Sequence, residues 1–410
     1  MALTQIYNAN LLDPERGTIT PDAHIIVEGT RIREVGEGAP LGSADLSIDA
    51  EGKTLMPGLI DAHVHAFLTS MDMSSLAGRP MTLHAFEAAK LLEGMLARGF
   101  TTVRDAAGAD WGLAASVERG LIKGPRIFFS GRSISQTGGH GDPRPVWEDP
   151  PICACGANSS WLSHIVDGVD AVRTAVRTEL RRGATQIKLM ASGGVASPSD
   201  PLMSLQMSPE EMKVASDEAR DWGTYTMAHA YSPDAIRRAL EAGVRSIEHG
   251  NLIDKDVARL MAKKDAFLVP TLVTYHTLHE LGRDAGFPEQ SLAKLADVLQ
   301  AGIGSLEIAK RAGVQIGFGT DLLGHAHAQQ CREFEIRSEV LSPLELIRSA
   351  TTINAELLNQ TGNLGILREG ATADLILVDG NPLENLSVLA RPEVHLKLVM
   401  KDGVIEHNWR

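Results

Sequence analysis

Two histidines stand two residues apart in Gly58-Leu59-Ile60-Asp61-Ala62-His63-Val64-His65, at the end of an apolar run that follows Pro57. On a β-strand this spacing sends both imidazoles to one face, because the side-chain period is two. Two neutral imidazoles converging at a strand end are half of a divalent-metal site. The same spacing also fits an ordinary half-buried strand with one polar face, so the pair needs partners. Candidates follow downstream: Lys188 inside Gln186-Ile187-Lys188-Leu189-Met190, His229 in Ala228-His229-Ala230-Tyr231, His249 in Ile247-Glu248-His249-Gly250, and Asp321 in Gly319-Thr320-Asp321. Each has an ordinary alternative. A lone strand-end histidine can be a satisfied polar residue, Lys188 can snorkel to solvent, and Asp321 can cap a helix. Together these donors all fall in or at the ends of short apolar runs, and that joint pattern points to a metal centre.

The elements that must position them alternate along the middle of the chain. Short apolar runs at Leu59–His65, Thr101–Asp105, Arg126–Ser130, Gln186–Met190, Thr224–His229, Ser246–His249, Phe267–Val273 and Gln315–Thr320 read as eight strands. Between them lie helical patterns at His84–Arg98, Asp167–Arg182, Pro209–Trp222, Pro233–Glu241, Lys255–Lys263 and Gln290–Ala312. This α/β alternation predicts a (β/α)8 TIM barrel, whose active site lies at the C-terminal ends of the strands. A doubly wound open sheet would want a glycine fingerprint after its first strand, and none is present. Both chain ends are instead rich in short strands with Gly, Pro and Asp turns: Gln5–Asn8, His24–Val27, Arg31–Val35, Leu46–Asp49 and Thr54–Met56, then Asp374–Val378, Val394–Met400 and Val404-Ile405 after an Asp402-Gly403 turn. The expected organisation is a small composite β-sandwich from residues 1–56 plus 365–410 around a barrel of residues 57–364.

Composition narrows the function. With 39 basic against 52 acidic residues and a net charge of −13, the chain lacks the positive field of a nucleic-acid groove. No apolar run reaches the roughly 18 residues of a membrane span, and Met1-Ala2-Leu3-Thr4-Gln5 lacks the charged-then-apolar order of a signal peptide. Cys153, Cys155 and Cys331 make no disulfide framework in 410 residues and read as reduced thiols, which predicts a cytoplasmic protein. Cys153-Ala154-Cys155 reads as loop.

The block P-G-x-I-D-x-H-x-H, then Lys188, His229, His249 and Gly-Thr-Asp321, in that order and between two β-rich ends, resembles the amidohydrolase superfamily over nearly the whole chain. The resemblance implies that His63, His65 and Asp321 bind one metal ion, that His229 and His249 bind a second, and that Lys188, carbamylated by carbon dioxide, bridges both. A lysine ammonium would repel a cation, whereas its carbamate is an anion with two oxygens. Four histidines, a carboxylate and a carbamate suit two zinc ions, with manganese, cobalt and iron left open. The implied reaction is amide hydrolysis by a hydroxide bridging the two metals, with Asp321 passing the nucleophile's proton to the leaving amine.

Finer motifs narrow the resemblance. Thr137-Gly138-Gly139-His140-Gly141, Lys188-Leu189-Met190-Ala191-Ser192-Gly193-Gly194 and His229-Ala230-Tyr231 are similar to the branch of Xaa-Pro, Xaa-Arg and Xaa-Lys dipeptidases and of N-acyl-amino-acid and ochratoxin amidohydrolases, with imidazolonepropionases more distant. By that likeness Tyr231 donates its hydroxyl to the developing oxyanion and His140 holds a substrate carbonyl or carboxylate; the alternatives are a packing tyrosine and a loop histidine. His325 and His327 follow Asp321 and either reach substrate or support the ligands. Where relatives often show H-G-x-N-x-x-E-L, this chain has His327-Ala328-Gln329-Gln330-Cys331-Arg332-Glu333-Phe334, with Ala328 for glycine and Gln330 for asparagine. The expected substrate is a dipeptide or N-acyl amino acid, and the branch suggests a homo-oligomer, up to an octamer. A cyclic amide hydrolase and a non-catalytic barrel scaffold are the rival readings; a deaminase of this superfamily commonly lacks the bridging lysine.

Other segments read as structural. Arg104-Asp105 fits a scaffold ion pair. Glu248, next to His249, should point to the opposite strand face. Ser192-Gly193-Gly194 is a turn suited to close ligand approach. Pro198-Ser199-Asp200-Pro201 and Gln136–Ser160 are expected to overhang the pocket.

Overall fold

The computed structural model describes residues 2–40, 42–76, 79–144, 161–197, 200–284, 287 and 289–409. Cys153, Cys155, Pro198, Ser199 and residues 145–160 of the expected overhanging segments lie outside the described residues.

The chain opens with strands β1 (Leu3–Asp13), β2 (Thr18–Glu28), β3 (Arg31–Glu37), β4 (Leu46–Asp49) and β5 (Thr54–Pro57). The parallel part follows: β6 (Leu59–Val64), β7 (Phe100–Asp105), β8 (Arg126–Phe129), β9 (Ser133–Ser135), β10 (Ser163–Ile165), β11 (Ile187–Met190), β12 (Thr226–Ala230), β13 (Ser246–His249), β14 (Phe267–Val269) and β15 (Gln315–Ile316). The chain closes with β16 (Leu375–Val378), β17 (Leu396–Lys401) and β18 (Val404–Asn408). The principal helices are α1 (Met81–Ala97), α2 (Trp111–Glu118), α3 (Val169–Arg181), α4 (Pro209–Asp221), α5 (Pro233–Glu241), α6 (Lys255–Lys263), α7 (Leu272–Leu281), α8 (Glu289–Ala312) and α9 (Arg332–Arg337). None of the helices among the described residues is long and apolar enough to cross a membrane.

Both ends of the chain do form one β unit. Its strands are hydrogen-bonded in the order β18-β17-β16-β5-β1-β2-β3, with β4 beside β1. β5 is the join: it pairs parallel with β1 and antiparallel with β16, so the C-terminal strands extend the N-terminal sheet. Ile6, Ile25, Ile48, Leu55, Leu375, Leu377 and Leu398 share its core. The expected start of β17 at Val394 is instead a helical turn over Pro392–His395, where Pro392 takes a first-turn position that needs no N–H.

The middle is a TIM-barrel-type arrangement in two parallel sheets, β6-β7-β8 and β10-β9-β11-β12-β13-β14-β15. β6, β7, β11, β12, β13 and β14 are buried along their whole length, as expected where helices cover one face and the interior the other. The seams are stitched by isolated contacts. The Ala62 N–H donates to the Phe318 carbonyl at 2.8 Å, and the Asp321 N–H to the His63 carbonyl at 2.8 Å. The Asn354 side chain donates to the carbonyls of Ile60 (2.7 Å) and Phe318 (2.8 Å) across the same seam. Thr185 N–H donates to the Phe129 carbonyl at 2.8 Å on the other side.

Two expected strands are shorter than predicted. β15 stops at Ile316 because the segment beyond runs very close to its neighbours: a Cβ on Gly319 would lie 2.3 Å from Val269 and 2.8 Å from the His63 Cβ. β14 stops at Val269 because Pro270 has no N–H and Thr271 is left-handed, with φ +50°. The residues expected to continue that strand, Leu272 and Val273, instead begin α7. The helices start on local signals. Ser208 and Glu211 close a capping box around Pro209 at α4, Ser232 caps α5, and Asp254 caps α6.

Candidate metal centre

The C-terminal ends of the strands bring the dispersed donors together. His63 lies in β6 and His65 just beyond it; their rings are 5.4 Å apart at 70°. Asp321, on the segment after β15, faces both, its Oδ1 lying 3.1 Å from His65 Nε2 and 3.4 Å from His63 Nε2. His249, at the end of β13, places its ring 5.1 Å from that of His63 and 4.6 Å from that of His229. Ligand atoms of His63, His249 and Asp321 all lie within 4.8 Å of one another. His249 (φ +71°) and Asp321 (φ +54°) are both left-handed, a conformation that non-glycine residues keep only where surrounding contacts impose it.

Outer hydrogen bonds fix which ring nitrogen is free. His63 Nδ1 is 2.6 Å from Glu248 Oε2, His65 Nδ1 is 3.0 Å from the Ala107 carbonyl, and His229 Nε2 is 3.1 Å from the Gly193 carbonyl. Carbonyls and carboxylates only accept, so each of these nitrogens carries the proton and the opposite nitrogen keeps a lone pair. His63 Nε2 is accordingly buried without a hydrogen-bond partner. At 3.1 Å from a carboxylate oxygen, the His65 lone pair requires a shared cation, proton or metal. Burial alone would lower the proton affinity of His65, yet the Asp321 carboxylate raises it. The reverse holds for Asp321, which burial would raise but which His63 and its fellow imidazoles hold well below the carboxylate range. Burial keeps His229 and His249 neutral, far below the usual imidazole value. Neutral imidazoles with one nitrogen locked as donor, converging on an ionised carboxylate, fit a divalent cation.

Lys188 lies within β11 and is 1 % exposed, so it does not snorkel. Burial lowers it to about 8 in spite of the carboxylates of Glu248 and Asp321 nearby. A neutral amine, the form that reacts with carbon dioxide, is thereby brought close to physiological pH.

Two structural expectations are corrected here. Glu248 does not face away from the site: besides His63 it binds Arg104 Nη2 through both oxygens, at 2.9 and 3.0 Å, and the Ser246 hydroxyl at 2.5 Å. The left-handed turn at His249 breaks the strand alternation that the expectation assumed, so both neighbours turn inward. Against the cost of burial, Arg104 and His63 hold Glu248 at about 2. Arg104 and Asp105 do not pair with each other. Asp105 instead accepts the N–H groups of Ala66, Ala107 and Ala109 at 2.7–3.1 Å, shaping the loops after β6 and β7.

Tyr231 and His140 stand beside the imidazoles. The Tyr231 ring stacks on His249 at 5.2 Å, and its hydroxyl lies 2.9 Å from that of Tyr275. Burial raises the Tyr231 phenol, which stays protonated. His140 stacks on His229 at 4.2 Å and 17°, its Nδ1 lying 2.7 Å from the Ser197 hydroxyl, which in turn donates to Asp200. Burial lowers His140 to about 4. In that neutral ring Nδ1–H donates to Ser197, so Nε2 is an acceptor; a carboxylate would need the protonated ring. A Cβ on Gly194 would lie 2.1 Å from the His140 ring, and one on Gly193 1.9 Å from the Pro201 carbonyl. The glycine turn therefore lets His140 and Pro201 pack closely against it.

The loop after Asp321 divides. His327 is 1 % exposed with neither ring nitrogen hydrogen-bonded, whereas His325 is exposed and takes no part in the contacts above. Gln330, the departure from asparagine, is fully buried and bridges Arg98 (3.0 Å) to Asp61 (2.8 Å) beneath the cluster. Glu248, Arg104, Asp61, Thr271 and Tyr275 are the site residues that sequence reasoning missed. Asp61 carried a signal, two residues before His63 on the same strand face; the others reach the site only through tertiary packing.

The profile of the Amidohydrolase family matches residues 54–405. The ochratoxinase of Aspergillus niger is 34% identical over 417 aligned residues, covering 95% of this chain and 84% of that protein. A prolidase crystallised with N-methylphosphonate-L-proline is similar at a TM-score of 0.95 and 49% identity, over 98% of this chain and 99% of that one. A Xaa-Pro dipeptidase with methionine bound in its active site gives a TM-score of 0.89 at 31% identity, over 99% and 100% of the two chains.

Proposed function

This chain belongs to the amidohydrolase family, and from that premise we propose that it hydrolyses the amide bond of a dipeptide or an N-acyl amino acid, including ochratoxin-type amides. The observation that carries the reading is the convergence of the His63 and His65 lone pairs on one oxygen of Asp321, beside a protonated Tyr231. The likeness to an ochratoxinase and to enzymes that act on Xaa-Pro dipeptides supports the substrate class.

The residues divide the work as follows. His63, His65 and Asp321 would hold one divalent ion, and His229 and His249 a second, with a carbamate on Lys188 between them; zinc suits this donor set. Such ions supply Lewis acidity, acidifying water and polarising the amide carbonyl. Asp321 takes the proton as the water oxygen adds to the carbonyl carbon, and returns it to nitrogen as the C–N bond breaks. The Tyr231 hydroxyl donates to the oxygen on which negative charge develops. Neutral His140 offers an acceptor at Nε2 to the substrate; in its protonated form it would bind the carboxylate.

The decisive experiment is an assay of metal-loaded protein against dipeptides and N-acyl amino acids varied at the C-terminal residue, with Xaa-Pro dipeptides and an ochratoxin-type amide included. Turnover of a subset sharing one C-terminal residue, lost with a chelator and restored by a divalent metal, is the expected result. Activity confined to cyclic amides would replace this reading with the cyclic amide hydrolase, and inactivity on every amide with the scaffold.

A further inference from the structure

We propose that Asp61, Thr320 and Gln330 form a buried clasp that sets the spacing of Asp321 from His63, and are thereby positioning residues for the metal centre. The inference rests on the metal centre of the reading above and not on its substrate. Asp321 lies beyond the end of β15 at Ile316, so the pairing of that strand does not place it. Its position comes from bonds to β6. The His63 carbonyl accepts from the N–H groups of Thr320 (3.2 Å) and Asp321 (2.8 Å), and a Cβ on Gly319 would lie 2.8 Å from the His63 Cβ.

Asp61 closes this contact into a ring. Its Oδ1 accepts from the His63 N–H at 3.1 Å, and its Oδ2 from the Thr320 hydroxyl at 2.7 Å and from Gln330 Nε2 at 2.8 Å. One carboxylate thus holds the backbone of His63, the residue before Asp321 and the end of the loop that follows Asp321. Asp61, His63, Thr320 and Gln330 are all fully buried, so water does not compete for these groups.

Donor and acceptor roles in the clasp follow from residue type, because a carboxylate only accepts and a guanidinium only donates. Gln330 Oε1 accepts from Arg98 Nε (3.1 Å) and Nη2 (3.0 Å), while its NH2 group faces Asp61. A flipped amide would oppose like groups on both sides. Gln330, one methylene longer than the asparagine expected there, thus connects a cation at the end of α1 to the carboxylate that holds His63.

Reversing the polarity of one bond tests the clasp. In Asp61→Asn an amide NH2 meets the NH2 of Gln330, and in Gln330→Glu a second carboxylate meets Asp61. Together, D61N and Q330E restore the match: the amide donates to the carboxylate, which still accepts from Arg98. Zinc affinity, measured by competition against a chromophoric chelator, should fall about 10- to 100-fold in each single variant. In D61N/Q330E it should return to within about threefold of wild type. Thr320→Val and Thr320→Ser change no buried charge and decide the matter if the other variants fail to fold. T320V removes the hydroxyl and should weaken zinc binding about tenfold, whereas T320S keeps the hydroxyl and should bind as the wild type does. Unchanged zinc affinity in T320V, or a double variant as weak as the two single changes combined, would overturn the clasp. So would a lower unfolding temperature with unaltered zinc affinity, the mark of a purely structural role. The titration needs no substrate. A wild type that binds zinc but cleaves no amide would count against the proposed function alone, whereas one that binds no zinc would remove the metal centre and this inference with it.

Discussion

His63 and Glu248 meet in a fully buried contact of 2.6 Å between Nδ1 and Oε2, although 185 residues separate them in sequence. The carboxylate is shared with Arg104, so one group fixes the tautomer of an imidazole and neutralises a buried guanidinium. Orientation of the site and stability of the interior therefore depend on the same side chain.

Replacing Glu248 tests that dependence. In Glu248→Gln the amide can donate to His63 Nδ1, which turns the ring to the Nε2–H tautomer and blocks its lone pair. Metal affinity should fall about 10- to 100-fold, and loss of the buried charge beside Arg104 should destabilise the fold by about 3–5 kcal/mol. Competition against a chelator and thermal unfolding measure the two effects; unaltered affinity would return Glu248 to the scaffold.

Asp321→Asn should leave the fold intact, because asparagine tolerates the left-handed backbone found there. It removes both the negative charge facing His63 and His65 and the proton acceptor. We expect kcat to drop by about a thousandfold or more, with near-native thermal stability. A kcat close to wild type would exclude Asp321 as the proton carrier.

Lys188→Ala removes the group that would carry the carbamate and leaves space among Glu248, Arg104 and Asp321. Metal content should fall from two per chain toward one and activity should be lost. Short carboxylic acids should restore part of both, since a carboxylate supplies the same pair of oxygens. Full metal content without rescue would contradict a bridging role.

Glu333 gives a pH dependence away from the metal centre. Burial raises it to about 8 from an ordinary 4.5. The folded state therefore binds a proton that the unfolded state has released between these values. Stability from this group is fully present below the lower value and is lost as pH rises through the upper one, by a few kcal/mol as an order of magnitude. Denaturant midpoints should fall across that window in the wild type, and Glu333→Gln should flatten the slope. Equal slopes would show that Glu333 is ionised throughout.

Much of this was legible from residue order. Period-two spacing placed His63 and His65 on one face, and the alternation of apolar runs with helical patterns outlined most of the parallel strands and principal helices. Errors arose where backbone conformation departs from the regular period. Thr271 ended β14 early, and His249 turned left-handed and brought Glu248 inward. The pairing of β5 with both β1 and β16 was not legible, because strand propensity carries no record of which edges pair.

The sequence by itself determined the donor set, since imidazole, carboxylate and lysine chemistry is intrinsic to residue type, and strand periodicity is local. Tertiary structure alone decided which nitrogen of His63, His65 and His229 is free, what lowers Lys188, and which groups stand behind Tyr231. Those properties depend on hydrogen bonds and burial between residues far apart in the chain, such as His63 with Glu248 and Tyr231 with Tyr275, and no local spacing encodes them.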